Sequence, residues 1–575
     1  MSARVESGHN RRRRDAPGKT QALQAEGADL CGLFSDGYQT AMFSIGTPER
    51  EVRRDLICLA LITGLSALPY VANLGFYSDD WGLFSHYHFH GFSDLFSTFA
   101  GRPVQAIYSV LLFSLFGMNP LGYHIVNTVV IGAAAMLLYA LLIRLGFDRR
   151  LGFGVCVFFL LLPQLSTIRV WIAAAQIPLS MVLALASLHA QLTFARTNKV
   201  LAAVIAAVAA VLSIAAYEIF APLIASLALK LLWDRRHERR AIFLMAGIAA
   251  LLTFAVVYKI ILASDRAGAI LDGKRYLQGL LRLVSPTYDW RLDSSLNLFA
   301  AAEVHFWLVL KVWLQALIGW IAEPRLNLTV SIALGIALLS FWRCSTAGAG
   351  RILALRLLLV GFVVFVLGHA TFLVVPSIMF APTGLANRVL VAAAVGVAMV
   401  MVAALGLSSK INPRIFPLVI AFVAFSAVLR LSQVEGYWSE APAIQRQILA
   451  QAKLDLSSVP SGSTVMLDGV CPYHGPAVVF ETSWDVAGAL SLALGRELMG
   501  DAVSPRMSVT SLGLRTSMYE QEAFYPYGTG LYAYNPHLRV VAPLTNAHQA
   551  QAYFRRPGRW PTPCPRAYVG HGVLI

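Results

Sequence analysis

Two adjacent carboxylates at the end of the first apolar run are the residues of this sequence that most suggest chemistry. They are Asp79 and Asp80, in the YSDDWG stretch at 77–82. A charge beside hydrocarbon is energetically costly and is usually functional or paired. A carboxylate in a partly apolar site can have a raised pKa and act as a general base. The alternative is a solvated acid pair at a helix end, and the residues alone leave both open.

Three isolated arginines are predicted on the same outer face as these acids: Arg102, Arg169 and Arg388. Short outer loops of membrane proteins normally avoid arginine. The guanidinium group binds phosphate through a bidentate fork, so outward-facing arginines at membrane level suggest a lipid phosphate. Each of them alone could instead be an interfacial residue that contacts ordinary headgroups. Together with the acid pair, they favour a site.

The elements that must hold these residues are apolar. Of 575 residues, 57% are hydrophobic and 13% are charged, whereas soluble proteins carry about 25% charged residues. Several apolar runs reach the roughly 20 residues that cross a bilayer. The net charge of +15 does not indicate a nucleic-acid partner, because the cations lie in short loops between apolar runs, as topology signals do.

The sequence predicts an all-α polytopic membrane domain over residues 55–433 with about eleven transmembrane helices. Arginine and lysine clusters at the ends of the apolar runs all fall on the cytoplasmic side if the N-terminus is cytoplasmic. Residues 104–117 and 303–322 are predicted to be re-entrant or interfacial helices on the outer face. The predicted spans are 55–75, 122–143, 151–168, 170–190, 200–216, 219–233, 241–262, 326–342, 352–375, 389–408 and 415–433.

Two polar regions flank this domain. Residues 1–54 are predicted to be a disordered cytoplasmic tail without a cleavable signal peptide, since the first apolar run begins only at Leu56. Residues 434–575 are predicted to be an extracytoplasmic α/β domain, with helices over 441–456 and 484–498 and a β-rich run at 463–470.

Cysteines and histidines add two hypotheses. Cys471 and Cys564 are the only cysteines of the predicted outer domain. In an oxidising compartment they are a candidate disulfide, and two buried free thiols are the alternative. The histidines at 86, 88 and 90 would share one face of a strand and could bind a metal. The favoured interpretation is that they line a membrane-surface helix, and no metal site is predicted.

The order of the motifs resembles the GT-C glycosyltransferases, which use polyprenyl-phosphate sugars. It is similar to the protein O-mannosyltransferases and the bacterial lipid A aminoarabinose transferases. A first span is followed by SDDW at 78–81, GRPV at 101–104 and LFSLFGMNPLGYHIVN at 112–127. The resemblance covers residues 50–435 in layout and the first 150 residues in detail.

Individual positions carry the resemblance and also depart from it. Asp79 matches the family's catalytic aspartate, while Asp80 stands where glutamate is usual. Arg102-Pro103 stands where Lys-Pro or His-Pro is usual, which leaves the donor sugar and the phosphate geometry open. Two further pairs, Tyr217-Glu218 and Asn387-Arg388, resemble the family's Lys-Glu or Tyr-Glu and its Glu-Arg.

The resemblance implies an inverting glycosyltransferase of a bacterial inner membrane that needs no metal or other cofactor. Its donor would be a polyprenyl-phosphate sugar, and its acceptor an extracytoplasmic glycan, lipid or protein. Asp79 would be the base, Asp80 would orient the acceptor or tune Asp79, and Arg102 and Arg388 would hold the phosphate. The other candidate substrate- or phosphate-binding residues are Arg169, Glu218, His124 and Asn127.

Two other function classes remain. A transporter or flippase for lipid-linked glycans is disfavoured, because no internal repeat is visible and the ionisable residues cluster at the outer surface rather than at the midplane. A non-catalytic assembly partner, with residues 434–575 as an interaction module, is not excluded by the sequence.

Overall fold

The computed structural model describes residues 49–234, 238–262, 301–324, 326–345, 350–374, 383–408, 412–504, 506–518, 521–528, 530–558 and 564. Residues 52–575 form one compact unit. Most of the predicted cytoplasmic tail, including Cys31, lies outside the described residues.

The chain is mostly helical. Fifteen helices precede the first strand among the described residues, and short 3₁₀ turns join several of them. The helices are α1 Glu49–Ala67, α2 Asp79–Thr98, α3 Pro103–Phe116, α4 Pro120–Arg144, α5 Arg149–Leu161, α6 Ser166–Val170, α7 Gln176–Thr197, α8 Val200–Ala216, α9 Ala221–Asp234, α10 Arg239–Leu262, α11 Leu308–Ala322, α12 Leu328–Cys344, α13 Arg351–Ala370, α14 Val391–Ser408 and α15 Ile415–Asp455.

Six of the described helices are long and apolar enough to cross a membrane, which agrees with the predicted membrane protein. They are Pro120–Arg144, Ile172–Thr197, Glu303–Ala322, Arg351–Ala370, Leu385–Ser408 and Ile415–Asp455. A seventh span is possible where Arg149–Leu161 and Pro163–Val170 form a pair bent by 58°. The sequence predicted one span here, over 151–168. Leu162, which follows the first helix of the pair, is extended because it precedes Pro163, and this accounts for the break.

A buried ion cluster joins three helix ends at one side of the bundle. Asp55, near the start of α1, accepts hydrogen bonds from Arg149 Nη1 at 3.1 Å and from Arg343 Nε at 2.6 Å. Arg149 begins α5, and Arg343 lies at the end of α12. The start of α1, the start of α5 and the end of α12 therefore lie together, and each of them carries arginines that the sequence assigned to the cytoplasmic side.

Further basic helix ends share this side. Arg144, at the end of α4, donates to Thr193 Oγ1 near the end of α7, at 2.9 Å. Arg356, near the start of α13, lies 5.3 Å from the centre of the Phe147 ring, in the loop that precedes α5. These contacts place Arg144, Arg149, Arg343 and Arg356 at one end of the bundle, and the sequence assigned all four to the cytoplasmic side.

Helix α15 connects the apolar bundle to the C-terminal part of the chain. It has 41 residues, and at 1.5 Å per residue it is about 60 Å long, roughly twice the thickness of a bilayer's hydrocarbon core. The predicted domain boundary at residue 434 falls inside this continuous helix. The last apolar span therefore continues into the C-terminal region without a loop.

Residues 303–322 form one apolar helix that begins with a π-helical turn, Glu303–Trp307. In that turn His305 accepts a hydrogen bond from Gln164, which follows α5, and its ring lies 5.4 Å from the ring of His369, at the end of α13. Helices α5 and α13 both begin at the end of the bundle where the arginines cluster, here called the basic side. The first turn of the 303–322 helix contacts the opposite ends of these two helices and therefore lies away from the basic side. Its last residue precedes the start of α12, which also lies away from the basic side. Both ends thus lie away from the basic side, although this continuous helix is also long and apolar enough to cross a membrane, and the predicted re-entrant or interfacial placement stays a prediction.

The C-terminal region carries small sheets and two helices, α16 Ser483–Leu494 and α17 Ala547–Phe554. Its main sheet has the strand order β4-β1-β8-β9, with β1 parallel to β4 and β8, and β9 antiparallel to β8. The strands are β1 Thr464–Leu467, β2 Tyr473–His474, β3 Ala477–Val478, β4 Met499–Ala502, β5 Ser508–Val509, β6 Gly513–Met518, β7 Gln521–Pro526, β8 Leu531–Asn535 and β9 Val540–Pro543.

The predicted cysteine pair is present. Cys471 and Cys564 form a disulfide with their Cα atoms 5.5 Å apart. It ties the end of the described chain to the segment that follows β1. The cysteines of the described apolar helices, Cys58, Cys156 and Cys344, are free and buried.

Candidate active site

The turn before α2 carries the acid pair and is fixed by buried contacts. Tyr77 is fully buried, and its hydroxyl donates to the carbonyl of Trp438 on α15 and accepts from the backbone N–H of Gly75. Trp171 donates from its indole N–H to the carbonyl of Tyr77 at 3.0 Å. Asp79 and Asp80 therefore begin a helix whose entry is held by two other parts of the fold.

The carboxylate of Asp80 is occupied by backbone donors. It is 1% exposed and accepts from the N–H of Tyr77 at 2.9 Å and from the N–H of Ala173 at 2.6 Å. Burial raises its pKa well above the usual range, against the opposing effect of these hydrogen bonds. Asp80 thereby fastens the start of α2 to the 3₁₀ turn Ile172–Ala174.

The carboxylate of Asp79 is available. Its side chain is half-buried, and no described residue donates a hydrogen bond to it. Burial raises its pKa, while the positive charges of Arg388 and Arg102 act in the opposite direction. The charges of Arg102 and Arg388, which lie in distant parts of the chain, therefore both reach Asp79.

Arg102 immediately precedes α3, and its side chain is held in place by a glutamate. Its Nη2 lies 3.2 Å from Glu218 Oε1, and its guanidinium lies 4.4 Å from the centre of the Tyr217 ring. The two charged side chains remain 29% and 27% exposed. The planar guanidinium thus stacks on an aromatic face and keeps edges that face partly toward solvent.

Arg388 lies on the 3₁₀ helix Leu385–Leu390, just before α14. Its guanidinium lies 4.9 Å from the centre of the Trp171 ring, and it donates to the carbonyl of Leu385 at 3.3 Å. Since Trp171 also binds the carbonyl of Tyr77, one indole links Arg388 to the turn that presents Asp79. The neighbouring Asn387 is buried and donates to Ser166 Oγ.

Arg169 has a different environment from the other two arginines. It is buried and forms an ion pair of 3.0 Å with Glu435 on α15, which is fully buried. It also donates to the hydroxyls of Tyr70 and Ser66, at 2.8 Å each. These contacts use most of its donors to join α1, α6 and α15. Glu435 gave no signal in the sequence, because it falls just past the predicted end of the last span.

His124 and Asn127 lie on buried positions of α4 and bind backbone groups. His124 Nε2 lies 3.0 Å from the carbonyl oxygen of Gly75. The Asn127 amide donates to the carbonyls of Ile168 at 2.7 Å and Arg169 at 3.2 Å. In the structure His124 binds the backbone of the turn before α2, and Asn127 binds the backbone of α6. Their predicted contact with substrate stays a prediction.

The C-terminal region also reaches the acid pair, which the sequence did not predict. The Trp484 indole donates to the carbonyl of Asp79 at 3.2 Å, and Ser78 Oγ donates to Glu481 Oε1 at 3.1 Å. A Cβ atom on Gly82 would lie 2.1 Å from the Trp484 ring, so only glycine permits this approach. These contacts join residues about 400 positions apart, and no local pattern could have revealed them.

The three alternating histidines lie on α2 and not on a strand, so the three do not share one face, although His86 and His90, one helical turn apart, have their ring centres 5.0 Å from each other. His86 pairs with Asp94 at 2.6 Å, and His90 with Glu497 at 2.8 Å. Within the described residues, no group of three histidine, cysteine, aspartate or glutamate side chains is arranged to hold a metal ion.

Comparison with known proteins adds no family. No protein-family model matches the sequence, and no curated protein matches it. A desolvated carboxylate that accepts no hydrogen bond from a described residue, and on which two arginine charges act, can accept a proton while the cations bind an anionic group.

Proposed function

We propose that this protein is an inverting glycosyltransferase that moves a sugar from a polyprenyl-phosphate donor to an acceptor hydroxyl on the extracytoplasmic face of a bacterial membrane. The observation that carries the proposal is the effect of two arginines on Asp79. Asp79 is the acid of the pair whose carboxylate accepts no hydrogen bond from a described residue, and the charges of Arg388 and Arg102 both act on it. Such a transfer requires the base and the phosphate-binding groups to lie close together.

In the proposed reaction, Asp79 takes the proton of the acceptor hydroxyl. The resulting oxygen attacks the anomeric carbon from the side opposite the phosphate, so the configuration inverts. The bond between that carbon and the phosphate oxygen breaks, and its electron pair leaves with the polyprenyl phosphate. Arg102 and Arg388 stabilise the negative charge that grows on this phosphate.

The other predicted residues take supporting parts. Glu218 positions Arg102, and Asp80 fixes the start of the helix that presents Asp79. Arg169 serves the ion pair with Glu435 and is left outside the phosphate site. His124 holds the backbone of the turn before α2, and Asn127 holds the backbone of α6.

The extracytoplasmic placement is supported by the two ends of the bundle. The basic helix ends meet around Asp55 and Arg144, and basic clusters favour the cytoplasmic side of a bilayer. The Asp79 turn instead contacts Trp438, on the far part of α15, and the C-terminal region. A donor and acceptor on the outer surface would therefore meet the site.

The test is transfer by purified protein in liposomes, supplied with a panel of radiolabelled polyprenyl-phosphate sugars and the cell-envelope fraction of the host as acceptor. Asp79→Asn should lower the rate by about 10² to 10⁴, the usual contribution of a general base. Asp94→Asn is the matched control, because it is an acid-to-amide change in the same helix, and it should retain the wild-type rate. Wild-type transfer by a folded Asp79→Asn protein would reject Asp79 as the base.

If no donor of this class is consumed by the wild-type protein, the glycosyltransferase proposal fails. The assembly-partner alternative would then take its place.

A further inference from the structure

The residue before Asp79 has an unusual backbone conformation. Ser78 has φ +45° and ψ −120°, in a region that side chains with a Cβ rarely adopt. Such a conformation persists only where the surrounding structure enforces it. Because the direction of the Asp79 side chain depends on the backbone of this turn, whatever holds Ser78 also aims Asp79.

A carboxylate from the C-terminal region holds Ser78. Glu481 is 3% exposed, and its carboxylate accepts from Ser78 Oγ at 3.1 Å and from the hydroxyl of Tyr473. Its own backbone N–H donates to Asp485 Oδ2 at 2.9 Å. Since Asp485 is the capping-box residue of α16, Glu481 is placed by the start of that helix.

The contact between α16 and α2 is close along its length. A Cβ on Gly488 would lie 2.4 Å from the carbonyl oxygen of Trp81, and the Trp484 indole binds the carbonyl of Asp79. Glycine at position 488 therefore lets the two helices touch through their backbones. This close packing holds α16, and with it Glu481, against the turn that contains Ser78.

We propose that Glu481 is a positioning residue for Asp79, acting through Ser78, so that the C-terminal region completes the active site. The inference rests on the proposed function to the extent that Asp79 is the base. It assigns to the C-terminal region a role in building the site, separate from any part it has in binding an acceptor. It also explains why a charged group of that region is buried against the acid turn.

The first experiment measures hydrogen exchange and needs no substrate. Backbone amides of the peptide that covers residues 74–84 should exchange about tenfold faster in Ser78→Ala and in Glu481→Leu, because the turn loses its support. The matched control is Asp501→Asn. Asp501 is a buried carboxylate of the same region that accepts from two hydroxyls, those of Thr516 and Tyr525, and its variant should leave this peptide unchanged.

The second experiment measures transfer by the same variants. Displacement of the base should lower kcat by about 10- to 100-fold, while KM for the polyprenyl-phosphate donor stays unchanged, because Arg102 and Arg388 are untouched. Glu481→Gln keeps an oxygen acceptor for Ser78 and should retain most of the wild-type kcat. In the double variant Ser78→Ala/Glu481→Leu, kcat should fall no further than in the worse single variant, because the two residues act through one contact.

The outcomes separate the two proposals. If amide exchange of the peptide over residues 74–84 is unchanged in both Ser78→Ala and Glu481→Leu, the positioning role is overturned whatever the transfer rates are. If Glu481→Leu does not fold, the result for Ser78→Ala decides alone. Faster exchange with wild-type kcat, or a double variant whose losses multiply, would overturn it too. Absence of transfer by the wild-type protein would reject the glycosyltransferase function and Asp79 as its base, while exchange would still show whether Glu481 holds the turn.

Discussion

Replacement of Arg102 separates a phosphate-binding role from a structural one. In the structure its guanidinium pairs with Glu218 at 3.2 Å, and both side chains are more than a quarter exposed. Ion pairs of this exposure contribute about 0.2–1 kcal/mol to stability. Arg102→Ala should therefore leave the folded protein nearly as stable as the wild type, with a small shift in the unfolding temperature.

The expected loss of activity is larger than that structural cost. A hydrogen bond to a charged group contributes about 1.5–3 kcal/mol, and each 1.36 kcal/mol changes a rate about tenfold. Loss of one guanidinium–phosphate contact should thus lower kcat/KM by about 10- to 150-fold. Both KM for the donor and kcat should change, because the phosphate is anionic before and during the reaction.

The assay is initial-rate transfer with a varied polyprenyl-phosphate sugar, in parallel with thermal unfolding in detergent. Arg102→Lys should recover part of the loss, since charge returns without the bidentate fork. Glu218→Gln is the matched control, because it breaks the same ion pair and keeps the guanidinium. Equal losses of kcat/KM in Arg102→Ala and Glu218→Gln would refute a direct phosphate contact and assign Arg102 a structural role.

Three further predictions concern the pKa of Asp79, the ion pair between Arg169 and Glu435, and the side of the membrane on which the C-terminal region lies. Burial raises the pKa of Asp79, and only its ionised form can act as the base. As the pH is lowered, kcat/KM should therefore begin to fall at a higher pH than it would for an ordinary aspartate. Arg388→Gln removes a charge that lowers this pKa and should shift the acid limb of the pH–rate profile upward; an unmoved limb would contradict the proximity of the two groups. Arg169→Met should destabilise the protein by about 3–5 kcal/mol in unfolding experiments, because it leaves Glu435 buried and unpaired, and the double variant with Glu435→Leu should be more stable than this single variant. A C-terminal alkaline phosphatase fusion should be active and a C-terminal GFP fusion dark, and the reverse pattern would place the site on the cytoplasmic side.

The sequence alone determined the features that depend on local composition. Apolar runs of sufficient length predict helices that can cross a membrane whatever they pack against, because unsatisfied backbone groups are too costly in lipid. Helix α16 and the first strand of the C-terminal region were also predictable from local pattern, whereas α17 was not predicted, and the count of outer-domain cysteines made Cys471 and Cys564 a candidate disulfide. The acid pair was visible because two adjacent carboxylates are rare at the end of an apolar run.

The roles within the acid pair and among the arginines were decided by tertiary structure. Asp79 and Asp80 are chemically identical in the sequence, but in the structure Asp80 accepts from the backbone of Tyr77 in its own turn and from Ala173 in the distant Ile172–Ala174 turn, whereas no described residue donates to the Asp79 carboxylate. Arg169 and Arg388 differ in the same way, because Glu435 lies against one of them and the face of Trp171 against the other.

The contribution of the C-terminal region is the clearest case of a feature that no local pattern encodes. Ser78 and Glu481 lie 403 positions apart, and an ordinary serine next to an acid pair gives no sign of a distant partner. Their contact exists because α15 carries the chain out of the apolar bundle and α16 then returns against α2. Local preferences form the individual elements, whereas the neighbours that change a side chain's chemistry are set by how those elements pack.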